Sequence, residues 1–131
     1  MLAAYNLLIE VSVNEYLQCV SNPEVYAAGD VAANMGLPLT PVASYDGAVV
    51  ANNLIKGNTM KSNYTGLPSV VFTIPPLASV GILGAHILGP HADEIINIFS
   101  MAIRLGLTAK DLNDPLLYTY PTNSSNILYM L

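Results

Sequence analysis

Asp30 ends the small apolar run Val25 to Gly29, and its carboxylate is the first group along the chain well placed for chemistry. Gly29 before it would let a ligand approach the backbone closely. An acid at the carboxyl end of a strand can accept hydrogen bonds from sugar hydroxyls, where open α/β sheets bind their ligands. Thr40 and Pro41 follow as a helix start, whose unpaired N–H groups could face a polar or anionic ligand edge. A Gly-Asp pair alone is an ordinary turn. An acid followed by a helix start is more informative than either part.

The other candidates carry less. His86 and His91 lie near Asp93 and Glu94, but no third ligand is spaced to complete a metal site, so structural roles are expected. Tyr118 and Tyr120 flank Thr119 before Pro121, which predicts an extended segment with the two rings packing on opposite sides. Cys19 is the single cysteine, so neither an internal disulfide nor a CxxC motif is available. It is expected as a small, half-buried side chain. No Ser-His-Asp arrangement and no phosphate loop stands out.

The elements that would position these residues follow from periodicity and punctuation. Val11 to Leu17 alternates like a strand, and "EVYAA" reads as the next one. In "LTPVASYDGAVVANNLIKGN", Thr40 is the expected N-cap, Pro41 the first helical residue and Lys56-Gly57 the close. Gly47 inside this helix costs about 1 kcal/mol relative to Ala unless close packing needs the missing side chain. "SVVFTI" and "ILGAHILG" read as strands. "HADEIINIFSMAIRLG" places Ala92, Ile95, Ile96, Phe99, Ala102 and Ile103 on one face. Asp93 and Glu94 in its first turn and Arg104 in its last suit the helix dipole, with Gly106 as cap. "TAKD" resembles a capping box, and Thr122 or Ser124 could cap a last helical turn.

Composition limits the partners. The 131 residues suffice for one domain or two small lobes. Charged residues make up 10%, against roughly 25% in soluble domains, so much surface is buried or charged segments are absent. A net charge of -5 without a basic cluster argues against nucleic acid. Ser62 to Ala92 carries no Asp, Glu, Lys or Arg, but its prolines and glycines predict several strands and no membrane span. The N-terminus has no basic region and carries Glu10 early, so no signal peptide is expected, and a cytoplasmic location is.

Taken together, "NPEVYAAGDVA", "LPLTPVASYDGAVVANNLIKGN", "LPSVVFTIPPLASVG", "GAHILGPHADEIINIFSMAIRLGLTAKDL" and "YPTNSSN" resemble the C-terminal part of the pyridine nucleotide–disulfide oxidoreductases. This is the flavoenzyme family of glutathione reductase, dihydrolipoamide dehydrogenase and mercuric reductase. The resemblance implies an α+β fold, with residues 1–65 ending an FAD-binding α/β domain. Residues 66–131 would form a dimerisation domain of antiparallel sheet and helices, with a stretch missing near 81/82. It places Gly29 and Asp30 at the ribityl chain of FAD. Leu39, Thr40 and Pro41 would lie at the pyrimidine end of the isoalloxazine, and Val70 near the nicotinamide of NAD(P)H. It further implies a homodimer passing electrons from NAD(P)H through FAD to a small-molecule disulfide or related acceptor.

Three departures qualify that expectation. The dinucleotide loop, redox cysteine pair and NAD(P) domain of the family have no counterpart in these residues, so this fragment alone is expected to be inactive. "ASVG" runs directly into "ILGAHILG", where family members carry a long charged stretch. The family's His-Pro-Thr motif, with an acid five residues after the His, is represented by Tyr120 and Ser125. A phenol is a poor base at neutral pH, and serine supplies no orienting charge. No catalytic residue of that pair is intact. The alternative expectation is a non-catalytic dimerisation or binding module derived from the family.

Overall fold

The computed structural model describes residues 10–81 and 84–131. The chain divides into two compact units, Met1–Tyr64 and Thr65–Leu131. The architecture is mixed α+β, with an antiparallel sheet in the second unit.

In the first unit, strand β1 (Val11–Ser12) pairs in parallel with β2 (Ala32–Ala33). The longer strand expected from Val11 to Leu17 is absent. Asn14 explains this: its side chain accepts the N–H groups of Tyr16 and Gln18 and turns the backbone, with Leu17 at φ 61°. "EVYAA" is not a strand either. Tyr26 makes one isolated bridge to Gln18, and Asn22 caps the preceding turn through the N–H of Glu24. Asp30 therefore does not end a strand. It sits in a 3-10 turn, Gly29–Val31, that leads into β2.

Helix α1 (Thr40–Lys56) forms as the punctuation predicts, displaced by one residue. Leu39 is the N-cap and Thr40 the first helical residue, while Gly57 at φ 77° ends the helix. Its buried stripe is Val42, Asp46, Val49 and Asn53. The i, i+4, i+7, i+11 spacing is that of a core-facing stripe, yet two of its four members are polar. A Cβ on Gly47 would meet nothing within 4 Å, so close packing does not account for this glycine. Gly47→Ala should therefore raise the stability of the first unit by about 0.5–1 kcal/mol. Urea unfolding reads this directly, and an unchanged or lowered midpoint would contradict it.

The second unit packs α2 (Ala92–Leu105) against the sheet of β3 (Pro68–Val71), β4 (Leu77–Val80) and β5 (Ala85–Leu88), in that order. Register runs Pro68 opposite Val80 and Leu77 opposite Leu88. Strand β3 stops at Val71, short of the expected "SVVFTI", and a turn containing the cis Ile74-Pro75 bond follows. The Ile82 and Leu83 part of the expected "ILGAHILG" strand lies outside the described residues. Ala78, Val80, Ala92 and Ile96 form the core, with Val70, Ala85, Ile87 and Phe99 against it. Burying such side chains is worth about 1.5–3 kcal/mol each for the larger ones.

The expected face of α2 is largely the buried one, although Ile103 remains partly exposed and Ser100 joins the face by donating to the Gly66 carbonyl. Gly106 caps in the left-handed region, as its lack of Cβ permits. Helix α3 (Ala109–Leu112) opens with the Thr108/Asp111 capping box. The bonds from Thr108 hold the Asp111 carboxyl below its ordinary range. A 3-10 segment, Ser124–Tyr129, ends the described chain. Asn123 is its N-cap, and Thr122 accepts from the Ser125 N–H.

Candidate functional site

The Gly29–Val31 turn packs on the first half of α1. Gly29 adopts φ 70°, and a Cβ there would lie 3.0 Å from the Ala43 Cβ. Two constraints thus require glycine: left-handed backbone and contact with the helix. The close approach is therefore to α1. Its amide donates to Asp46 Oδ2 at 3.1 Å. Asp30, the next residue, is exposed.

Asp46 is fully buried and accepts from three donors. Asn34 Nδ2 reaches the same Oδ2 at 2.9 Å, and Tyr64 Oη donates to Oδ1 at 2.8 Å. Asn34 in turn accepts from the Gly36 amide at 2.7 Å. Burial, reinforced by the bond to Asp46, pushes the Tyr64 phenol well above its ordinary pKa. Tyr64 therefore stays a donor throughout the neutral range. Tyr45 stands edge-on to Tyr64, with ring centroids 6.0 Å apart, and its hydroxyl accepts from the Asn63 amide. Asp46 and Asn34 were not singled out by sequence reasoning. The available signal was a carboxylate on the apolar stripe of a helix.

At the start of α1, the N-cap Leu39 offers no side-chain cap, and Pro41 lacks an N–H. The first-turn donors are thus not spent on a capping side chain. An exposed carboxylate on a turn hydrogen-bonded to Asp46 and a helix start without a side-chain cap fit the hydroxyl-bearing chain and polar ring edge of FAD. The groups that would hold its phosphates are not among these residues.

The remaining candidates fall elsewhere. Val70 lies in β3 of the second unit, half-buried against the Ala78–Ile96 core. Tyr120 is 79% exposed and precedes Pro121 through a cis bond. Ser125 is buried, and its hydroxyl is engaged within the turn. It donates to the Thr122 carbonyl at 2.7 Å and accepts from the Thr122 amide. The two residues do not pair. Tyr118 packs as expected of one ring, donating to the Leu112 carbonyl, whereas the Tyr120 ring faces outward. Cys19 is buried, more than expected, beside Ser21 at 3.3 Å, and that bond lowers its pKa. Among the described residues there is no cluster able to hold a metal, and no helix long and apolar enough to cross a membrane.

Comparison with known proteins places the chain in a family. Residues 82–130 match the dimerisation domain of the pyridine nucleotide-disulphide oxidoreductases. An uncharacterized 19.7 kDa protein of a Staphylococcus aureus mercuric resistance operon is 43% identical, over 92% of each chain. That alignment runs over 167 positions, more than this chain's 131 residues, so the relative carries residues that have no counterpart here. A Staphylococcus aureus mercuric reductase is 30% identical over 80% of this chain and 27% of its own length. For the Bacillus subtilis dihydrolipoyl dehydrogenase the figures are 30%, 72% and 30%. The chain therefore spans under a third of these two enzymes. An HOCl-induced flavoprotein disulfide reductase from Escherichia coli shares the fold, with a TM-score of 0.75 at 22% identity over 88% of this chain and 36% of its own. With the dimerisation-domain match, the shared fold and these relatives in agreement, the chain belongs to the pyridine nucleotide–disulfide oxidoreductase family and corresponds to its C-terminal part.

Proposed function

We infer that the chain supplies the flavin-facing end of an FAD domain and the dimerisation domain of a cytoplasmic, homodimeric oxidoreductase. That enzyme passes electrons from NAD(P)H through FAD to a disulfide or related acceptor. The observation that carries this reading is the Gly29–Asp30 turn, anchored to α1 by Asp46 and followed by a helix start without a side-chain cap. Bound FAD would supply the two-electron redox chemistry. The residues described here bind and orient. Asp30 would accept hydrogen bonds from the ribityl hydroxyls, and the positive end of α1, from Leu39 to Pro41, would lie at the pyrimidine edge, where it favours negative charge. By the family resemblance, Val70 would lie near the nicotinamide. The charged stretch that the family resemblance leads one to expect would fall near 81/82, between β4 and β5 in the sequence.

A second reading has one specific observation in its favour. The 19.7 kDa relative, covered over 92% of its length, is itself far shorter than the reductases. On that reading the chain is a non-catalytic module that dimerises or captures a flavoprotein half. Intact mass and sedimentation of the protein purified from its native source separate the two. The enzyme reading predicts a dimer of subunits far above 13.9 kDa that carries yellow flavin bleached by NAD(P)H. A flavin-free subunit near 13.9 kDa would contradict it and favour the module.

A further inference from the structure

We propose that Asp46 is a positioning residue for the Asp30 contact with flavin, an inference that rests on the functional reading above. A carboxylate buried in a helix stripe is expensive unless it is fully hydrogen-bonded. Here the donors that satisfy it come from both flanks of the Gly29–Val31 turn. The Gly29 amide precedes Asp30, and the Asn34 side chain follows β2. Asp46 thereby grips the loop on either side of Asp30. The Ala43–Gly29 contact lies one helical turn before this bond, so two adjacent points on α1 set the approach of the turn. Asp30 itself is exposed and directly follows the anchored Gly29 in the chain. The third donor, Tyr64, is the last residue of the first unit and fills the remaining oxygen.

Asn53 provides the control for a merely structural role. It occupies the same buried stripe of α1, with its own hydrogen bonds to Tyr16, Thr59 and Met60, and none to the Gly29–Val31 turn. Asp46→Asn is the conservative variant. Its Oδ1 can still accept from Gly29 and Asn34, while its amide donates to the Tyr64 oxygen.

The test is a thermodynamic cycle on FAD affinity in the native-length protein, using Asp30→Ala, Asp46→Ala and the double variant. Amide exchange at Gly29 is measured alongside. If Asp46 acts through Asp30, Asp46→Ala alone should weaken FAD about tenfold, yet less than about twofold on the Asp30→Ala background. Asp46→Asn should stay within about threefold of wild type, and Asn53→Ala should leave the affinity of the folded fraction unchanged. Gly29 exchange should accelerate in Asp46→Ala and not in Asp30→Ala. Fully additive losses, or an equal loss in Asn53→Ala, would overturn the positioning role while leaving the flavin reading intact. Wild type that fails to bind FAD, or Asp30→Ala with full affinity, would instead overturn the flavin reading and this role with it.

Discussion

Native-length protein should turn over glutathione disulfide and lipoamide slowly, while NAD(P)H reduces its flavin at an ordinary rate. At the position where the family resemblance leads one to expect the base, this chain carries Tyr120, which is 79% exposed, and a phenol is an intrinsically poor base at neutral pH. Its would-be orienting partner, Ser125, is buried with its hydroxyl committed to Thr122. General acid–base assistance is commonly worth about 10²–10⁴-fold, and its loss should fall on disulfide turnover. Flavin reduction does not need that base and should be spared. Introducing Tyr120→His with Ser125→Glu should recover part of the disulfide turnover. Fast wild-type turnover that collapses in Tyr120→Phe would show that the phenol is the working base and refute the prediction.

Asn53→Ala should be among the most destabilising substitutions in the first unit, at about 3–5 kcal/mol. Asn53 is 1% exposed. Its Oδ1 accepts from the amides of Thr59 and Met60, and its Nδ2 donates to the carbonyls of Tyr16 and Met60. Truncation therefore leaves several backbone groups without partners around one buried site. Asn52, its neighbour, bonds Thr59 Oγ1 and is less buried, so Asn52→Ala should cost no more than about 1 kcal/mol. Urea unfolding of both variants decides the matter. Equal midpoints for the two would show that the Asn53 hub is not what ties the end of α1 to the following loop.

The helices were the most legible part of the sequence, for a physical reason. The apolar spacing of Ala92, Ile95 and Ile96 with the charges of Asp93, Glu94 and Arg104, and the Thr108–Asp111 box, are local signals that the fold reproduces. The strands before Asp30 were misread because Asn14 and Asn22 recruit backbone N–H groups that strands would have used. Asp46 and Asn53 were passed over because a polar residue in an apolar stripe reads as an interruption until its partners, 6 to 37 residues away, are known. The family resemblance alone assigns the Gly29–Asp30 pair to a cofactor contact. As a local pattern it is a turn, and a turn is what it forms.

Flavin content of purified Asp30→Ala against wild type tests the central claim most directly, with native-length protein and FAD affinity measured by titration. Losing a charge-assisted hydrogen bond typically costs about 1.5–3 kcal/mol, or roughly ten- to a hundredfold in affinity. The account predicts that wild type retains FAD through purification and that Asp30→Ala releases most of it, at unchanged fold by circular dichroism. Equal flavin content and equal affinity in the two proteins would contradict it.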